Sequence, residues 1–281
     1  MKKSRPIFDS LCHPQMSGKW EGRIEFLDSS FSHLVNQMKL NNVIGGVASF
    51  YPTSEEESFA KFMEQCNIYE ENNLPLVIKP CYMIREQIDI TRQGILDCNK
   101  YTKQSPVFLK FHPHYCSPAC YLEKASGIKE QFKNEKIVWY VCTYPFCTSR
   151  SLRRIDFGDI LQNLAEIVGD DPLVILHGGT IELLKYSQYA QHLKNVYLDL
   201  SFTICRYINS SLVHDMAYLF EYLDQKLIIG TDHPEYSYSS LRESLKKIES
   251  LLDKRINKDL IGKKLDNIYY KNMTTLLMAS K

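Results

Sequence analysis

No apolar run in the 281-residue sequence approaches the roughly 20 residues that a membrane-spanning helix needs. Net charge is nearly absent too: 34 Lys and Arg stand against 33 Asp and Glu, leaving +1. That balance removes the global electrostatic case for nucleic acid or an anionic membrane as partner. No apolar stretch of signal-peptide length follows residues 1–6, so a secretory leader is not expected. No low-complexity tract, Pro/Gly-rich linker or charge block divides the chain, and one domain over 1–281 is the expectation. Phosphate-cradling loops of the Gly-x-Gly-x-x-Gly and Gly-x-x-x-x-Gly-Lys-Ser/Thr types are also missing, which weakens dinucleotide and nucleotide readings. The cysteines number nine, an odd count in a chain that is not small. Scattered thiols in a reducing compartment fit that count better than a disulfide framework. These absences leave a cytoplasmic protein acting on a small molecule, with homo-oligomerisation open.

What is present is a recurring unit: a short apolar run, then an amphipathic stretch. The runs that read as strands are 6–12, 43–50, 74–83, 107–112, 137–143, 173–177, 196–201 and 227–231. Helical patterns follow at 54–72, 85–100, 120–134, 156–168, 180–192, 210–223 and 239–252, and a last one at 263–279 would close the chain. Strand-then-helix, repeated about eight times, argues a parallel sheet covered by helices. Strands that are nearly continuous apolar runs fit a sheet buried on both faces. Eight such units in this length predict an α/β protein of the (β/α)8 TIM-barrel class, with an open doubly wound sheet as the alternative.

In such a barrel, chemistry sits at the C-terminal ends of the strands. Five of the eight histidines fall on or just after those ends: His13, His112, His114, His177 and His233. Strand alternation puts Asp9, Leu11 and His13 on one face, and Lys110 with His112 on another. If these faces turn inward, His13, Lys110, His112, Cys142, His177 and Asp232 become neighbours. Arg150, in a basic run after the fifth strand, and Arg206, after the seventh, sit on loops at the same end. Either could hold a carboxylate or phosphate bidentately. The segment His112-Pro113-His114-Tyr115-Cys116-Ser117-Pro118-Ala119-Cys120 has metal-site composition. It lacks paired Cys-x2-Cys spacing, so a rigid loop over the site is preferred to a structural zinc.

The order of these motifs resembles the amidohydrolase superfamily, in its branch of amidohydrolase-related hydrolases and decarboxylases. Lys110-Phe111-His112-Pro113, His177-Gly178-Gly179 and Gly230-Thr231-Asp232-His233-Pro234 match the ends of its strands 4, 6 and 8. A closing helix with Asn272 resembles its C-terminal end. Asp9 with His13 matches part of its strand 1 pattern, but Leu11 stands where the first of two histidines is expected. Cys142 stands where strand 5 supplies a histidine. The resemblance implies a hydrolase acting on a C–N or C–O bond (amide or lactone) of a small anionic metabolite, or a decarboxylase. It implies Asp232 and His177 as catalytic residues, with Lys110, His112, Arg150 and Arg206 as substrate contacts. For a metal it implies His13, Cys142 and Asp232 as a mixed ligand set for one divalent ion, zinc or manganese. Leu11 cannot ligate, so a metal-free acid/base pair of Asp232 and His177 is the other expectation. A non-catalytic barrel that binds a ligand or a protein partner is the third.

Overall fold

The structure is a computed structural model and describes residues 4–20, 27–51, 59–86, 106–132, 135–144, 156–253 and 257–278. Among the described residues ten strands run in chain order: β1 (Ile7–Cys12), β2 (Lys19–Trp20), β3 (Leu27–Asp28), β4 (Val43–Ser49), β5 (Val77–Met83), β6 (Val107–Phe111), β7 (Ile137–Cys142), β8 (Leu173–Leu176), β9 (Val196–Asp199) and β10 (Leu227–Ile228). Eight of them pair in parallel in the order β1-β4-β5-β6-β7-β8-β9-β10, while β2 and β3 form a small antiparallel hairpin after β1. All eight predicted barrel strands are present, within one to three residues of their expected bounds. Among the described residues no helix is long and apolar enough to cross a membrane.

Period-two alternation divides the strand residues between two cores. Trp139 and Val141 face outward into the layer shared with the helices. Val138, Tyr140 and Cys142 face inward, with Phe108, Val174, Leu176 and Ile228. Met273 and Leu276, on the helix Asn272–Met278, join this inner core. Asn272 Nδ2 donates to the carbonyls of Asp224 and Leu227, both at 2.7 Å. Leu227 begins β10, so this last helix plugs the barrel at the end opposite the strand C-termini. The expected closing helix is really two: Lys258–Asp266, capped by Asn257, and Asn272–Met278, joined by a wide π-turn at Asn267–Lys271.

The sequence reading missed the single turn Thr203–Arg206 and one longer helix, Phe31–Leu40. Its signals were present: Ser30 caps it by accepting from His33 N, and Phe31, Leu34, Val35 and Met38 form its buried face at helical spacing. The expected helix at 85–100 lies outside the described residues after residue 86.

Few backbone bonds close the ring between β1 and β10. Ser10 N donates to Ile229 O (3.0 Å), Asp232 N to Leu11 O (3.0 Å), and His13 N to His233 O (2.8 Å). Asp9 reinforces this seam. Its buried carboxylate accepts from Leu11 N (3.1 Å), Thr231 N (3.0 Å) and Thr231 Oγ1 (2.6 Å). A Cβ on residue 230 would stand 2.6 Å from Asp9 Oδ1, so only glycine lets the strands approach this closely. The Gly-Thr-Asp motif is therefore half a seam device and half a site residue.

Burial raises the Asp9 carboxyl to about 6, against the hydrogen bonds from Thr231 and Leu11. Asp9→Ala should cost more than about 3 kcal/mol, because three buried donors lose their acceptor at about 1–3 kcal/mol each. Asp9→Asn keeps an acceptor and removes a buried charge, so its melting temperature at pH 7 should stay near wild type. Thermal melts of both variants check this; an equal loss in the two would show that the charge, not the acceptor, holds the seam.

Candidate active site

At the C-terminal ends of the strands lies a cavity of about 150 Å³. Its lining gathers six of the expected residues from five strand ends: His13, Lys110, His112, Cys142, His177 and Asp232. Arg206 is not among them; it is exposed and lies beside Tyr236. Arg150 lies outside the described residues. The lining also holds Trp20, Tyr51, Tyr144, Phe202 and Glu235, which had no site role in the sequence reading. Tyr51 and Phe202 follow β4 and β9, so the strand-end rule alone would have found them. Trp20 would not have been found that way, because it rides on the β2–β3 hairpin. Its Nε1 donates to Glu235 Oε1 at 3.0 Å and pins that hairpin across the mouth.

Backbone kinks aim three of these side chains. Leu176 faces the inner core, so simple alternation would turn His177 outward. His177 instead has φ +62°, and its ring lines the cavity. Phe202 (φ +64°) and Asp232 (φ +58°) are also left-handed. Such conformations cost about 1–3 kcal/mol each for non-glycine residues and persist where the surroundings fix them. Here the fixing is visible. His177 N donates to Asp199 Oδ2 (3.2 Å), and the His177 carbonyl accepts from Thr203 Oγ1 (2.6 Å). Gly179 follows with φ +72°, and a Cβ there would stand 2.0 Å from the Tyr186 ring. The glycine pair after His177 is thus required by the turn and its packing; no phosphate is needed to explain it.

Two hydrogen-bonded groups fill the cup. In the first, His13 Nε2 lies 3.3 Å from Asp232 Oδ1 and 3.3 Å from Lys110 Nζ. Burial, with the Lys110 charge, lowers His13 to about 4, so its ring is neutral at neutral pH despite Asp232. Burial works against the Asp232 carboxylate, yet the His13 hydrogen bond and the charges of His177 and Lys110 outweigh it, and its pKa falls to about 2. In the second group, His177 Nδ1 lies 3.0 Å from Ser201 O, an acceptor only, so Nδ1 carries a proton and Nε2 is the atom left for Cys142. Ser201 Oγ donates to Asp199, which Ser10 also donates to. Burial alone would pull His177 down, but Cys142, Asp232 and Asp199 together raise it to about 9.

The described donors do not converge on a divalent metal. Leu11 lies in the inner apolar core at the position where the resemblance expects a ligand. Among the described residues, no three His, Cys, Asp or Glu groups converge as a metal site. His13 and Asp232 are already paired to each other, and the Lys110 ammonium stands beside His13 Nε2, where a cation would bind. Cys142 is engaged with His177. The expected trio of His13, Cys142 and Asp232 thus shares a cavity without forming one coordination sphere.

No family model matches the chain, and no curated protein is significantly similar to it. Solved structures are similar. An uncharacterized TIM-barrel protein from Bordetella bronchiseptica superposes with a TM-score of 0.67 at 15% identity, covering 96% of this chain and 98% of that one. The chain has the TIM-barrel fold. A beta-aspartyl dipeptidase from Fervidobacterium islandicum gives a TM-score of 0.64 at 14% identity, over 97% of this chain and 72% of that one. A provisionally assigned 2-pyrone-4,6-dicarboxylic acid hydrolase from Pseudomonas putida gives 0.60 at 11% identity, over 96% of both chains. The barrel is therefore shared with these proteins, at identities that establish architecture and leave chemistry to the site.

Proposed function

We propose that this TIM-barrel protein is a hydrolase that cleaves an amide or lactone bond in a small, flat, anionic compound, using its own acid and base groups. One observation carries the reading: a half-buried, ionised carboxylate, Asp232, shares a cavity with the cationic His177 and Lys110. The hydrolases among the similar structures support it at the level of fold. The aromatic walls support a flat substrate. His13 and Trp20 (5.6 Å) with Tyr51 form one side, and Tyr144, Phe202 and His177 the other. A cavity of this volume holds about one six-membered ring.

The roles follow from charge. Asp232 orients water and takes its proton as the oxygen adds to the acyl carbon. Lys110 stabilises the developing oxyanion, and His177 protonates the leaving nitrogen or oxygen. The two proton transfers assist each other. Once His177 has given up its proton, a positive charge beside Asp232 is gone and the carboxylate becomes more basic. His112 and Arg206 remain candidate contacts for the substrate's charged group, with Arg206 reaching it only through a larger substrate.

A panel of six-membered lactones and aryl amides, each with and without a carboxylate, tests this reading. Turnover should favour the carboxylate-bearing members. It should fall as pH rises through about 9, where His177 loses its proton, and hold at neutral pH, where His177 is charged and Asp232 ionised. Binding of the same compounds, seen as thermal shifts without turnover, would favour instead a non-catalytic barrel, the reading that Leu11 supports. Release of carbon dioxide would indicate a decarboxylase.

A further inference from the structure

The register of β7 against β8 pairs Cys142 with Leu176, the residue before His177. Both Cys142 and Leu176 face the inner core. The left-handed turn at His177 then brings its ring back over the barrel mouth, where it hydrogen-bonds the Cys142 thiol. The far side of the ring is held by Ser201 O, and Ser201 is held by Asp199. Nucleophile, proton-holding imidazole and orienting group thus follow in a chain, the constellation that activates serine and cysteine nucleophiles on unrelated folds. Cys142 and His177 both line the cavity described above, so the pair opens onto the space a substrate would occupy.

We propose that Cys142 is a nucleophile, with His177 as its proton partner and Ser201 and Asp199 as positioning residues, so that hydrolysis runs through a thioester. The proposal rests on the hydrolase reading above. Cys142 Sγ adds to the acyl carbon, and the bond to the leaving oxygen or nitrogen breaks. The attack starts from the Cys142 thiolate beside protonated His177, and the leaving atom takes the proton that His177 holds. One water, oriented by Asp232, then adds to the thioester carbon. The C–S bond breaks, the hydroxyl of the water leaves in the released acid, and the other proton passes by way of Asp232 to His177, which restores the starting pair. No oxidant, reductant or second substrate is consumed.

The test needs no known substrate. Wild-type protein is treated with limiting iodoacetamide, and alkylation is followed peptide by peptide. Cys142 should react at least about tenfold faster than Cys120, although Cys120 is the more exposed of the two. His177→Gln should remove that advantage while Cys120 keeps its rate. p-Nitrophenyl acetate, quenched in acid, should leave one acetyl group on Cys142 and none there in Cys142→Ala. Cys142 reacting no faster than Cys120, or equally fast with and without His177, would overturn the proposal; because the first comparison uses wild type, a variant that fails to fold cannot hide the answer. Once a substrate is in hand, Cys142→Ala that hydrolyses it at the wild-type rate, while Asp232→Asn does not, would overturn the thioester and leave the hydrolase reading standing. Loss in neither variant would remove both.

Discussion

Asp232→Asn should reduce turnover of a hydrolysable lactone or amide by about 10²–10⁴-fold, the range for removing a positioned acid or base. The change is isosteric, so the effect would be chemical. An amide nitrogen cannot accept a proton from water, and Asn removes the negative charge that Lys110 and His177 both face. Glu235 cannot substitute, since its carboxylate is engaged by Trp20 Nε1. The variant should also reset its neighbours. His177 is held charged partly by Asp232, so in Asp232→Asn its pKa should drop and its protonated form should be lost at lower pH than in wild type. Losing that proton limits the damage to stability, because it spares two buried cations from sharing the cup. Steady-state kinetics with thermal melts separate the two effects. A variant retaining more than a tenth of wild-type turnover would remove Asp232 from the chemistry.

Why was so much of this legible in the sequence? The barrel was, because each strand is buried on two faces and each helix on one, and those two burial patterns leave different apolar periods. The cup was legible through one geometric rule. Every parallel barrel strand delivers its last residues to the same rim, so His13, Lys110, His112, Cys142, His177 and Asp232 could be gathered without knowing any distance. What the sequence could not supply was how these groups pair. Whether Cys142 belongs with His13 or with His177 depends on a single left-handed φ at His177, and composition says nothing of it. Asp9 was legible only as an acidic residue of a motif. Its role in closing the seam needs Gly230 and Thr231 opposite it, which are more than 200 positions away in the chain. Trp20 and Glu235 were invisible for a similar reason, since a hairpin of two-residue strands and a loop contact leave no periodic trace.

Lys110→Met separates function from stability most sharply. Lys110 is 1% exposed, and its ammonium faces His13 Nε2 at 3.3 Å. Burying a lysine charge costs several kcal/mol before its interactions repay it, and apolar replacements of similar volume in such networks are often neutral or stabilising. Asp232 would not be stranded, because His13 and the charged His177 remain beside it. The variant should therefore melt at or above the wild-type temperature. Its hydrolytic rate should nonetheless fall by about 10²–10³-fold, the loss expected when one preorganised oxyanion donor is removed. A third effect fixes the mechanism. Burial is the larger cause of the low His13 pKa and Lys110 the next, so without the lysine that pKa should climb partway from about 4 toward 6.5. Residual turnover would then decline with acid at a higher pH than in wild type, as His13 gains a proton and competes with substrate for Asp232. If Lys110 served the fold alone, the outcome would be reversed: a lower melting temperature, an unchanged acid limb, and turnover per folded molecule equal to wild type. The cup would then be an ion pair of the barrel interior, and the positive charge that the hydrolase reading assigns to the oxyanion would have to come from His177 unaided.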